Sequence, residues 1–166
     1  MKRSFSVPKL CAAAHNEFKF EIKDGVVYLS DTVGSFGLYT KDMTLIDELN
    51  ARGCTLSVSD GLARIFTSME ADGSETEIND SGVTLTGSGL DGDKRVALYC
   101  SDEDVYAFRR KYFEIFKPNM VVKKKGYNNP AILLCMDCFA IIMPIRPGSG
   151  FKKQCEIVSD FHRLVR

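Results

Sequence analysis

The stretch FEIKDGVVYLSDTVGSFGLYTKDM, Phe20 to Met43, sets the reading of the whole chain. It runs strand, Asp-Gly turn, strand, Gly-containing loop, strand, and then an acidic entry to a helix. A second stretch, TEINDSGVTLTGSGLDGDKRVALYCSDED, Thr76 to Asp104, repeats that order with an Asp-Ser-Gly turn. Two such units predict a duplicated half, able to pack about a pseudo-twofold axis.

Working outward, each unit leads into a predicted helix. TLIDELNARG follows the first and is closed by Gly53. SDEDVYAFRRKYFEIFKP follows the second, opened by a capping box from Ser101 to Asp104 and stopped by Pro118. CTLSVSDGLARIFTSM reads as a hairpin across Asp60-Gly61, and MVVKKKGYNNPAILLCMDCFAIIMPIR as two or three strands turning at Gly126 to Asn129 and near Asp137. KRSFSVPKLCAAAHN reads as a strand and a short helix starting near Pro8, a residue well tolerated in a first turn. Short strands with a few helices indicate an α+β fold with mainly antiparallel sheet.

The 166 residues can bury a real core without a metal or disulfide staple. Six cysteines lie scattered in apolar stretches, and Lys9 and His15 flank too short an apolar run for a secretory segment, so free thiols and a cytoplasmic location are expected. No apolar run approaches the roughly 20 residues that cross a bilayer. Net charge is zero but uneven. From Asp60 to Asp93 eight acidic residues face Arg64 alone, and from Arg109 to Lys125 seven basic residues face Glu114 alone. Such asymmetry fits a nucleic-acid surface or a solvated face.

Enzyme chemistry finds little support. His15 and His162 are the only histidines, and neither sits in a local motif with a nucleophile. Cys135-Met136-Asp137-Cys138 has metal or redox spacing, yet no second Cys/His pair stands at finger spacing and the site falls in an apolar hairpin. GSGLDGD, Gly87 to Asp93, links two strands and lacks the lysine of a phosphate loop. A non-catalytic protein without cofactor or metal is expected.

The order of elements, ending on an apolar strand with Met143-Pro144-Ile145-Arg146, resembles the sliding-clamp family of DNA replication, the bacterial beta clamp and proliferating cell nuclear antigen. The likeness is best from about Gly82 to Arg146. The resemblance implies a clamp-like body over 1–146 with imperfect repeats at about 18–70 and 76–146. It also implies replication or repair work as a processivity factor, non-specific contact with double-stranded DNA, docking of short peptides from partner proteins, and self-association. The chain is shorter than a family clamp, which suits a phage or mobile element and leaves open an interaction module that does not encircle DNA.

The resemblance places a partner-peptide groove at Ile141, Ile142, Met143, Pro144, Ile145 and Arg146, with proline releasing the chain from the sheet ladder. The same residues also fit a plain core strand with a proline stop. On a helical wheel Val105, Phe108, Tyr112, Ile115 and Phe116 share an apolar arc, with Arg109, Arg110 and Lys117 to one side. Those three, with Lys123, Lys124 and Lys125, are the DNA-contact candidates the resemblance implies, and a solvated helix edge is the alternative. After Arg146, PGSG forms a hinge and FKKQCEIVSDFHRLVR an amphipathic helix over 147–166 that packs across the body or docks on a neighbour.

Overall fold

The computed structural model describes residues 3–69, 73–86, 95–102, 104–117, 120–124 and 129–145, and single positions 153, 156, 157 and 160 beyond them. The architecture is α+β. Helix α1 (Val7–Ala13) leads into a meander of β1 (Glu17–Lys23), β2 (Val26–Asp31) and β3 (Phe36–Thr40), then α2 (Thr44–Ala51), β4 (Thr55–Val58) and α3 (Leu62–Ser68). The short β5 (Thr76–Glu77) precedes a second meander of β6 (Asn79–Thr86), β7 (Arg95–Cys100) and β8 (Val105–Arg109). One-turn α4 (Arg110–Phe113), β9 (Val121–Lys124), β10 (Ala131–Leu134) and β11 (Cys138–Ile142) complete it.

Eight strands form one mixed sheet in the order β4-β1-β2-β3-β11-β10-β9-β5, and β6-β7-β8 form a second. Among the described residues, only the β1–β4 pairing in the large sheet is parallel. The main core lies between the sheets and the α1 and α2 helices. It takes Phe18, Leu29, Phe36 and Leu38 from the large sheet, Tyr99, Tyr106 and Phe108 from the small one, and Leu10, Leu45 and Leu49 from the helices. Among the described residues, no helix is long and apolar enough to cross a membrane.

Local chemistry explains the first meander. Asp24 and Gly25 both have positive φ, 53° and 76°, the mirror-image turn whose twist matches flanking antiparallel strands. At the N-terminus Ser6 caps α1, its Oγ accepting the Lys9 N–H at 3.4 Å. The Ser6 N–H donates to the Ile115 carbonyl and the Lys117 N–H to the Ser4 carbonyl, so the N-terminal segment is laced to the chain after α4.

Beyond the strand expected before α1, which is a single bridge from Phe5 to Phe116, three expectations change. The hairpin across Asp60-Gly61 is instead a strand followed by α3, because Leu62, Ala63 and Phe66 recur at helical spacing and bury one side. Phe66 packs beside Tyr28, Tyr39 and Phe139 on the far side of the large sheet. Glu21 holds the start of this helix, accepting the N–H groups of Gly61 at 3.0 Å and Ala63 at 2.9 Å.

The helix expected from Ser101 to Pro118 is the second change. Its first half is β8, in which Tyr106 and Phe108 face the main core while Val105 and Ala107 face the opposite side. Ser101 Oγ does accept the Asp104 N–H at 3.1 Å, as a capping box would have it, but the contact closes the turn between β7 and β8. Strand pairing to β7 satisfies the backbone here, and the period-two burial of Tyr106 and Phe108 outweighs the helical reading.

The third change concerns the repeat. The turn expected at Asp80-Ser81-Gly82 is a bulge inside β6, with Gly82 at φ 80° and Asp80 Oδ1 accepting its N–H at 2.9 Å. The two meanders also lie in different sheets. Their likeness is one of element order, three antiparallel strands followed by a helix, and does not extend to turn positions.

Candidate functional site

The exit from β11 is where the sequence concentrates its signals. β11 itself lies between β3 and β10, and all five of its residues are buried. Ile141 and Ile142, expected in an open groove, are therefore interior: Ile142 belongs to the main core and Ile141 to the cluster around Phe66. A strand paired on both edges has no open margin.

The remaining groove candidates lie one step further along. The Met143 N–H still donates to the Ser35 carbonyl at 2.9 Å, Pro144 has no N–H to give, and the Ile145 N–H donates to the Ala107 carbonyl at 2.9 Å. In three residues the backbone leaves the large sheet and joins the edge of the small one. Proline stands where the chain belongs to neither ladder, which is the position a missing donor suits. The Ile145 side chain packs against the buried cluster of Val96, Leu98 and Ala107 on the small sheet. Arg146 lies outside the described residues.

Met143, Pro144 and Ile145 form one wall of a cleft of about 520 Å³. Asp31, Thr32, Val33 and Ser35 from the turn between β2 and β3 also line it, with Tyr112, which is stacked on Phe36 with ring centres 5.5 Å apart. Val33 stands at the rim, 78% exposed. Arg109, Lys111 and His15 add cationic or titratable edges. His15 is placed by a left-handed backbone, φ 53°, where α1 turns into β1. The Lys111 Nζ lies 5.1 Å from the Tyr112 ring centre.

Asp31 is the one carboxylate among the described residues of this lining, and it is buried. Burial pushes its pKa above the ordinary carboxylate range, and the backbone N–H groups of Ser35, Phe36 and Gly34 oppose that rise. The side chain acts as the staple of the turn: Oδ1 accepts the Ser35 N–H at 2.9 Å. Lys111 also acts to lower the Asp31 pKa, and with Arg109 it brings positive charge to the lining.

The basic candidates do not share one surface. Arg110 is drawn to Asp80, with Nη1 to Oδ2 at 2.5 Å and Nη2 to Oδ1 at 3.2 Å, and it also donates to the Val83 carbonyl. Lys123 lies on β9 opposite Glu77. Lys124, expected on a charged edge, is buried at 1% exposure, because β9 alternates and Lys124 falls on the inward side with Val122. Its Nζ donates to the Asn129 carbonyl and sits 4.7 Å from the Tyr106 ring centre, and burial pulls its pKa down to about 8. Lys117 is exposed, and Arg109 and Lys111 are partly so. Lys125 lies outside the described residues.

The reading from sequence missed Asp31, Val33 and Lys111 as neighbours of the Pro144 exit. Only Val33, a large apolar residue amid turn formers, carried a sequence signal. Among the described residues no group of three His, Cys, Asp or Glu side chains comes together as a metal site would need. Among the described residues of the lining the one histidine is His15, and it is exposed. Comparison of the chain with protein-family models, with characterised proteins and with solved structures produced no match.

Proposed function

We propose that the chain is a non-catalytic interaction module that docks short peptides of partner proteins in the cleft beside Pro144. The observation that carries this reading is the passage of Met143, Pro144 and Ile145 from one sheet to the other, which brings an apolar segment into one cleft with Tyr112 and Val33. Arg109 and Lys111 at the edge select the ligand's chemistry: an extended segment with an apolar anchor and a neighbouring carboxylate. This is the second of the two roles implied by the resemblance to sliding clamps.

Association with duplex DNA is the other role. Its support is the pairing of α1 with α4, which leaves Lys9 and Lys117 exposed near one another around a shared depression. Its weakness is the withdrawal of Arg110 and Lys124 into internal contacts.

A six-residue peptide array, varying one apolar and one acidic position, separates the two roles when read beside a labelled 30-base-pair duplex titrated at low and moderate salt. Acidic-apolar peptides bind, and Val33→Asp or Lys111→Glu weakens them by tenfold or more, on the order of 1.4 kcal/mol. Both positions are exposed or partly exposed, so the fold tolerates the change. Salt-sensitive duplex binding that Lys9→Glu and Lys117→Glu abolish, with no peptide selected, overturns the peptide reading and favours the clamp.

A further inference from the structure

The two-residue loop Met136-Asp137 joins β10 to β11, and the ladder that sets Leu134 opposite Phe139 runs one step further to set Cys135 opposite Cys138. The Cys135 N–H donates to the Cys138 carbonyl at 3.1 Å. Residues so opposed have Cα atoms about 5.5 Å apart and side chains on one face, within the span a disulfide accepts. The loop between them is tied down. Asp137 Oδ2 accepts the Ser4 N–H at 3.0 Å, and its carbonyl accepts the Thr40 hydroxyl at 2.9 Å. The thiols are thus held face to face by the hairpin and by two other segments.

The two sulfurs differ in access. Cys138 is buried, whereas Cys135 is half-buried at the tip beside a fully exposed Met136. Their thiols hydrogen bond to one another, which lowers the pKa of Cys135 and, with burial, raises that of Cys138. Of the two, the reachable sulfur is the one that ionises more readily, with burial and the nearby Asp137 carboxylate opposing it. Cys11 and Cys54 make an internal contrast. Their Sγ atoms lie 3.6 Å apart, but both are buried, and burial pushes Cys11 up to about 11.

We propose that Cys135 and Cys138 form a redox-active dithiol that exchanges with a small aliphatic disulfide of the glutathione class. The Cys135 thiolate attacks one sulfur of that disulfide, forming a mixed disulfide and expelling one small thiolate. Cys138 then gives up its proton and attacks Cys135 Sγ, which closes the intramolecular bond and expels the second small thiol. Two protein thiols are oxidised and one small disulfide is reduced to two thiols. The reverse sequence reopens the pair. This site lies at the end of β11 opposite to the peptide cleft and does not depend on that reading.

The full chain is treated with mixtures of reduced and oxidised glutathione, acid-quenched, alkylated and digested for mass spectrometry. A disulfide linking Cys135 to Cys138 grows with the oxidised fraction. In Cys138→Ser the glutathione adduct accumulates on Cys135, and in Cys135→Ser neither product forms at these positions. Cys138→Ala replaces the serine variant if the hydroxyl is not tolerated in the buried site. The unaltered protein gives an independent reading: iodoacetamide modifies Cys135 at least about tenfold faster than Cys11. Equal rates at the two cysteines, or a bridge that forms between Cys11 and Cys54 instead, overturn the proposal.

Discussion

Replacing Lys124 by methionine tests whether the amine is sealed inside, as its place on the inward side of β9 requires. The ordinary lysine pKa of 10.5 falls to about 8 here because burial disfavours the charged form. At about 1.4 kcal/mol per pH unit, the shift corresponds to at most about 3 kcal/mol of folding free energy. Between pH 8 and 10.5 the unfolded chain holds a proton that the folded chain has released. Stability from this group therefore rises with pH across that window, and the full cost applies below it. Other groups titrate there too: Cys11, raised to about 11, contributes stability that is lost as pH rises from the ordinary thiol range through that value. The difference between the protein and Lys124→Met cancels them. Urea unfolding from pH 7 to 10.5, followed by circular dichroism, should show that difference shifting in favour of the unaltered protein by up to about 3 kcal/mol. Two parallel profiles would mean a lysine with its ordinary pKa, and the inward register of β9 would be wrong.

Gly37→Ala sets a methyl 2.5 Å from Cζ of the buried Phe66 ring and 3.3 Å from Ile141 Cγ1, so it should cost about 1–3 kcal/mol, read as a lower urea midpoint. Adding Phe66→Leu should recover part of that loss, and an unchanged midpoint in the single variant would displace α3 from its seat on the sheet. For Glu21, the hydrogen bonds from the Ala63 and Gly61 N–H groups hold the carboxyl below its usual range. Their contribution is present above the ordinary carboxylate pKa and is lost on acidification, so the protein should lose stability relative to Glu21→Gln as pH falls from about 5 to about 3. Thermal melts of both proteins at each pH read this, and curves that keep a constant offset would remove Glu21 from its capping role.

Much of the fold was legible where the pattern was local. Asp24-Gly25 announced its turn, Pro8 announced α1, and the apolar runs of β10 and β11 were strands as expected. The misreadings came from signals that serve two structures equally. Ser101 and Asp104 make the same side-chain bond in a capping box and in a hairpin turn, and only the pairing of β8 with β7 decides between them. Asp60-Gly61 is a hairpin signature that here opens a helix, because the face of Leu62 and Phe66 finds a sheet to pack on. The cleft was half legible. Pro144 marked a departure from the ladder, but whether Ile141 and Ile142 faced outward depended on β3 and β10 flanking them, which are contributed by distant parts of the chain. Lys124 could not be told from Lys123 by composition, since one residue of register exchanges interior for surface.

The position of β11 has a bearing on the order in which the protein assembles. It is inserted between β3, roughly a hundred residues earlier in the sequence, and β10, its immediate predecessor. While the ribosome is still elongating, the β1–β2–β3 meander therefore waits with an unpaired flank, a template for unwanted strand partners. Closure of that flank joins the early and late parts of the polypeptide in one slow, topologically remote step.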